Sequence, residues 1–242
     1  MKAVIFNSGI GKRMGELSEH NHKSMVKLPD GEAVLLRQLR ILTECGIDEF
    51  VITTGAHKEE LEAAAEEFCR GKNLKFTFIY NPKYDKTNYI YSMYLAREQI
   101  CEDILFLHGD LVFTKKLVKQ MLASPNKNIA TVNKHKQLPK KDFKARIKDN
   151  KVQHISVNIF DPDCYAFQPF YKLSADYMRK WTDKVYEFVN AGKVNVYAEN
   201  ALNEILPHLN IEAFEYEDYY IDEVDTPEDL NRVGEEIRQY DY

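Results

Sequence analysis

The chain opens with a short apolar strand, Lys2 to Phe6, that empties directly into Asn7-Ser8-Gly9-Ile10-Gly11-Lys12-Arg13-Met14-Gly15. A strand running into a glycine-rich turn and then a helix is an anion site. The glycines let backbone N–H groups approach phosphate oxygens, and the helix start adds the positive end of its dipole. Lys12, Arg13 and Lys23 place three cations on or just after this turn. The expectation is a polyphosphate held by Asn7, Ser8, Gly9, Gly11 and those cations, at the carboxyl end of the first strand of an α/β sheet.

Two familiar phosphate loops fail. A P-loop needs four residues between its glycines and Ser or Thr after its Lys, but here one residue separates Gly9 from Gly11 and Arg13 follows Lys12. A dinucleotide fingerprint needs a third glycine and an acid closing the second strand. Met14 occupies the glycine position, and Phe50 to Thr54 ends without a carboxylate.

The remaining chain alternates. Glu32 to Cys45 has helical apolar spacing and is followed by Gly46, which suits a helix end. Phe50 to Thr54 reads as a buried strand, Lys58 to Cys69 as an exposed-face helix and Lys75 to Tyr80 as a strand. This order predicts a parallel sheet with right-handed crossovers. Ligands of such sheets bind beyond the strand carboxyl ends, which puts Thr54 and Gly55 on the same rim as the loop. A nucleobase could lie against Gly55, or the threonines could simply be strand formers. Asn88 and Ser92 share a face of a helix starting near Thr87 and are candidates to touch the nucleotide; Tyr91 and Tyr94 on it read as packing residues.

Ile104 to Leu107 followed by His108-Gly109-Asp110 is a buried strand delivering one carboxylate to the rim, suited to a hard cation such as Mg²⁺. Glu223 and Asp225, two apart in a strand-like end, point to one side and can reach the same metal. Thr226-Pro227-Glu228-Asp229 then starts the last helix. Gln137 to Lys144 reads as the opening of an inserted sheet with strands at Ala145–Ile147, Val152–Val157 and Tyr165–Phe170, and Ser174–Val189 and Glu199–Leu206 as helices. Lys144 is a candidate for a second substrate's phosphate. Tyr197 and its aromatic neighbours suit an alkyl-ammonium group through cation–π attraction, although core packing accounts for such residues equally well. Glu199, at a helix start, is a candidate to face the acceptor.

Composition narrows the partners. A net charge of −5 disfavours a nucleic-acid surface, and no apolar run approaches the ~20 residues of a membrane span. Cys45, Cys69, Cys101 and Cys164 form no C-x-x-C pair, which suits buried thiols in a reducing cytoplasm. The first strand stands where a leader peptide would be. Oligomeric state is not legible, and a homodimer stays open.

The Gly9-Ile10-Gly11-Lys12-Arg13-Met14 run with Lys23-Ser24-Met25-Val26 resembles the signature of nucleotidyltransferases. With Tyr84–Ala96, Gly109-Asp110 and Glu223-Val224-Asp225, the sequence resembles, over nearly its whole length, GT-A-like nucleotidyltransferases of the choline-phosphate cytidylyltransferase type and relatives from phosphonate biosynthesis. The resemblance implies a Rossmann-like, mixed, mostly parallel sheet flanked by helices, with a nucleotide-binding part at about 1–135 and 211–242 and an acceptor-binding insertion at about 136–210. It implies CTP and Mg²⁺, Lys12, Arg13 and Lys23 on the triphosphate, and Asp110 with Asp225 on the metal, assisted by Glu223. The acceptor would be phosphocholine, 2-aminoethylphosphonate or a similar small phosphate or phosphonate. A sugar-1-phosphate transferase using UTP or dTTP, or a cytidylyltransferase for a phosphorylated amino acid or polyol, shares these loops. Two departures stand out: Asn7-Ser8 replaces the usual Ala-Ala or Ala-Gly, and His22 replaces Pro before the lysine.

Overall fold

Ala3 and Ile5 of the first strand pack into one apolar cluster and Val4 and Phe6 into another, on the opposite face of the sheet. Successive strand side chains point to opposite faces, so an apolar run without alternation demands cover on both sides. The computed structural model, which describes residues 1–19, 21–216 and 219–240, supplies that cover.

The first half runs β1 (Lys2–Phe6), α1 (Val34–Glu44), β2 (Glu49–Thr54), α2 (Lys58–Cys69), β3 (Lys75–Tyr80), α3 (Tyr89–Ala96), β4 (Ile104–His108), β5 (Leu111–Phe113), α4 (Lys115–Ala123) and β6 (Ile129–Asn133). The second runs β7 (Lys144–Lys148), β8 (Lys151–Ser156), β9 (Cys164–Leu173), α5 (Ala175–Asn190), α6 (Ala198–Ile205), β10 (Glu212–Glu215), β11 (Ile221–Glu223) and α7 (Pro227–Ile237). Nine strands form one sheet in the order β3-β2-β1-β4-β9-β6-β10-β8-β7, and β11 pairs with β5 in a separate ribbon.

Strands β3, β2, β1 and β4 are mutually parallel, as the alternating pattern requires; β9 then runs antiparallel to β4, β6 and β7. The segments expected as an inserted sheet therefore join the main one. Strand β9 extends past the expected Phe170 to Leu173 because its last residues pair with β4, Ile104 opposite Leu173. Helices α1, α2 and α4 cover one face and α3, α5 and α6 the other, where Trp181 is fully buried and stacks on Phe106 at 5.0 Å.

One local expectation fails. No α-helix follows the glycine loop. Lys12–Ser18 forms 3₁₀ turns broken at Gly15 (φ 59°), after Gly11 (φ 72°), and the next α-helix begins at Val34. Two left-handed residues within five interrupt any α-helical ladder, so the positive charge at this rim comes from side chains and not from a helix end.

Candidate active site

Asp110 is placed by three contacts. The Gly109 N–H donates to the Phe6 carbonyl at 3.0 Å, and Gln38 Nε2 donates to the carbonyls of His108 (3.1 Å) and Leu111 (2.7 Å). A Cβ on Gly109 would lie 2.2 Å from Asn7 Oδ1, so only glycine lets the loop and β4 close on each other. Because β5 leaves directly after Asp110 and pairs antiparallel with β11, Glu223 lies opposite Leu111, and the Val224 N–H donates to the Asp110 carbonyl at 2.9 Å. Two distant acidic segments thus meet. Asp142, from the loop before β7, joins them: carboxylate oxygens of Asp142, Glu223 and Asp225 lie within 4.8 Å of one another.

Two of the expected cations sit on these acids. Lys23 Nζ donates to Asp110 Oδ2 at 2.7 Å and also to Asp225, while Arg13 Nη2 is 2.6 Å from Asp225 Oδ2. A Cβ on Gly11 would come 2.6 Å from the Lys23 Cβ, so the glycine loop clamps the lysine stem. Lys12 is exposed on the cavity wall.

Burial works against the Lys23 ammonium, yet Asp110 and Asp225 beside it raise its pKa. The Asp110 carboxyl is likewise opposed by burial but held below its ordinary value by Lys23. Glu223 is pushed well up by burial and then by Asp110, Asp142 and Asp225. His22 and His108, both on the cavity, are pushed down to about 4, chiefly by burial, and are neutral near pH 7. The acids also suit a divalent cation: Asp110 Oδ1 is buried without a hydrogen-bond partner, and carboxylate oxygens of Glu223 and Asp225 lie close together on the paired segment.

A cavity of about 320 Å³ is lined by Asn7, Ser8, Gly9, Gly11, Lys12, Arg13, Lys23, Asn88, Asp110, Tyr197, Glu223 and Asp225. A more open depression of about 460 Å³ adjoins it through Ser8, Gly9, Gly11, Lys12 and Asn88 and continues over Tyr84 to Thr87.

Five expected contacts are not on the first cavity. Thr54 is buried with its hydroxyl directed to Glu62 at 3.3 Å, so it does not face a base. Gly55 lies under the loop, where a Cβ would be 2.3 Å from the Ser8 carbonyl, which leaves no room for a ligand. Ser92 is buried against Ser8 Oγ (2.5 Å) and Asn81 Nδ2 (2.9 Å) and supports the loop from behind. Lys144, 0% exposed, donates to the carbonyls of Pro139 (2.9 Å) and Val157 (2.5 Å), so its charge is spent inside the fold. Glu199, 1% exposed, accepts from Tyr89 and from Tyr171 (2.9 Å) and has no oxygen turned to an acceptor. Asn88 both caps α3 and lines the cavity.

The cavity also includes residues that were not singled out: Tyr89, Lys141, Asp142 and Phe143. Phe143 meets Tyr197 edge-on at 4.8 Å between centroids. The signal for Asp142-Phe143 was an acid and an aromatic inside an aperiodic, lysine-rich loop, which no spacing rule weights.

The chain matches the MobA-like NTP transferase domain over residues 3–183. It belongs to that family. As a MobA-like NTP transferase it is a nucleotidyltransferase. It is similar to the choline-phosphate cytidylyltransferase of Streptococcus pneumoniae, 23% identical over 98% of this chain and 99% of that protein. It is also similar to the CMP-5'-(3-aminopropyl)phosphonate synthase of Streptomyces rubellomurinus, 31% identical over 52% of this chain, a match that spans 19% of that protein's length. Among solved structures, this transferase fold is similar to that of CTP:phosphocholine cytidylyltransferase from S. pneumoniae, with a TM-score of 0.80 at 22% identity and 98% of both chains covered. No helix among the described residues is long and apolar enough to cross a membrane.

Proposed function

We propose that this transferase moves CMP from CTP to a small phosphate or phosphonate that carries an alkyl-ammonium group, such as phosphocholine or 2-aminoethylphosphonate, and releases pyrophosphate. The observation that carries this reading is an aromatic wall, Tyr89, Phe143 and Tyr197, in the same cavity as the acid–lysine cluster. Aromatic faces attract alkyl-ammonium groups, whereas a sugar-phosphate acceptor calls for polar walls. The choline-phosphate cytidylyltransferase and the CMP-5'-(3-aminopropyl)phosphonate synthase that the chain is similar to point the same way.

In the reaction an acceptor oxygen attacks the α-phosphorus of CTP, a new P–O bond forms, and the bond to pyrophosphate breaks with its electron pair leaving on pyrophosphate. The nucleophile is already anionic near pH 7, so no general base is needed, and the neutral, buried His22 and His108 are not asked to be one. Catalysis is positioning plus charge neutralisation. Ser8, Gly9 and Gly11 border the phosphates, Lys12 and Arg13 take charge on the leaving group, and Asn88 fixes the nucleoside side. Lys23, held on Asp110 and Asp225 at the mouth of the glycine loop, places its ammonium charge beside the phosphates. Asp110 and Asp225, with Glu223 beside them, would hold Mg²⁺, which would supply Lewis-acid charge to the phosphate oxygens.

Pyrophosphate release in Mg²⁺, with CTP, UTP, ATP, GTP and dTTP each paired with phosphocholine, 2-aminoethylphosphonate, glycerol phosphate and glucose-1-phosphate, tests the reading. Turnover with CTP and an ammonium-bearing acceptor is expected. Turnover confined to UTP or dTTP with glucose-1-phosphate overturns it. Replacing Lys23 by Ala should lower kcat by roughly 100-fold or more, the scale of one preorganised charge; near-normal turnover would remove Lys23 from the mechanism.

A further inference from the structure

The aromatic end of the cavity needs a negative partner that Glu199 does not provide. Its carboxylate is sealed from the cavity by the Tyr89 and Tyr171 hydroxyls that it accepts. Aromatic faces alone can hold an ammonium, but an N–H-bearing one also seeks acceptors for its protons.

Asp142 stands where such a partner is required. It lines the cavity immediately before Phe143, whose ring meets Tyr197. Asp110 and Asp225 are paired with Lys23 or Arg13, whereas Asp142 forms no ion pair among the described residues. Its position is built into the fold. The buried Lys144 ammonium holds the Pro139 carbonyl of the same loop, and Lys136 at the loop's other end pairs with Asp222 at 2.6 Å.

A role as a metal ligand is the competing assignment, because Glu223 and Asp225 are close. Glu223 of the β5–β11 ribbon, with Asp110 just before β5 and Asp225 just after β11, already offers more carboxylates than the one or two that Mg²⁺ takes. Asp142 arrives on the segment that also supplies the aromatic wall.

We infer that Asp142 is the specificity-determining residue of the acceptor site, the counter-ion of the acceptor's ammonium group. This rests on the cytidylyltransferase reading above. The test compares wild type with Asp142→Asn and Asp142→Glu, using CTP and Mg²⁺ and three acceptors: 2-aminoethylphosphonate, phosphocholine and the uncharged analogue ethylphosphonate. For Asp142→Asn, KM for 2-aminoethylphosphonate should rise roughly 10- to 100-fold, as for loss of one partly desolvated charge pair. Its kcat should stay within about 3-fold, KM for phosphocholine should rise less, and ethylphosphonate transfer and the Mg²⁺ half-saturation should not move. Asp142→Glu should recover most of the loss. An equal loss with ethylphosphonate together with a raised Mg²⁺ requirement places Asp142 on the metal and overturns the inference, as does an unchanged KM. A wild type that transfers CMP to none of the three overturns the cytidylyltransferase reading itself.

Discussion

Glu223 carries much of the tension between stability and chemistry in this site. Its carboxyl is buried and faces Asp110, Asp142 and Asp225, so its folded pKa lies well above the ordinary value it regains on unfolding. Below that ordinary value both states are protonated and Glu223 contributes no pH dependence. As pH rises from there toward the folded pKa, the unfolded chain releases a proton that the folded chain retains, and stability falls. Glu223→Gln removes this cost while keeping shape. The metal-free variant should melt higher than wild type by roughly 2–4 °C near pH 7.5, about 1 kcal/mol for a chain of this size. The difference should vanish below pH 4. Melting curves of both proteins in chelator across pH 4 to 8 check it, and a lower Tm for the variant at pH 7.5 would contradict the charge argument. Single residues were legible where charge sat at the end of a periodic element. Lys12, Arg13, Lys23, Asp110, Glu223 and Asp225 all reach one cavity. Thr54 and Ser92 were misleading because the rim of a strand or helix does not say which hydroxyls the neighbouring loop covers. Asp142 was passed over because a loop has no period from which direction can be read.

Helix α7 shows how an element fixes a carboxylate of the cavity. Thr226 Oγ1 accepts from the Asp229 N–H (3.2 Å), and Asp229 Oδ2 accepts in return from the Thr226 N–H (3.0 Å) and the Asp225 N–H (3.3 Å). This capping box therefore holds the backbone of Asp225 as well as the helix start. Thr226→Ala should cost about 1 kcal/mol, the usual value of an N-cap hydroxyl. It should also lower kcat, since Asp225 carries both Lys23 and Arg13. Denaturant melts and steady-state rates on the same preparation check both, and a loss of stability with kcat intact would separate the cap from the site. The elements themselves were largely readable. Helix α2 and strand β3 have the bounds that their patterns gave, and the Thr226-Pro227 start of α7 is where the capping residues put it. The helix expected after the glycine loop was not, because Gly15 takes a positive φ that residue type alone does not reveal. The extension of β9 to Leu173 depends on its pairing with Ile104 to Phe106 of β4, far away in the chain, and local pattern carries no such information.

At the scale of the whole molecule, the sheet connects the two parts that the sequence divides. Residues 136–210 include β9, which pairs with β4 on one side and with β6 and β7 on the other. Trp181 of α5 stacks on Phe106 of β4, and Tyr171 meets the same phenylalanine at 5.2 Å. Opening residues 136–210 would uncover the face of β4 that supports the glycine loop and Asp110, so neither part should hold its core alone. We predict one cooperative unfolding transition. Trp181 is the single tryptophan of the chain and lies within residues 136–210, which makes it a built-in local probe. Its fluorescence and the far-UV dichroism of the whole chain should give the same midpoint in urea, and CTP with Mg²⁺ should raise both midpoints together, by an amount set by the ratio of ligand concentration to Kd. A tryptophan transition that precedes the dichroism would show residues 136–210 opening as a separate unit. Residues 136–210 could then unfold without the rest of the chain, and the coupling through β9 would be wrong.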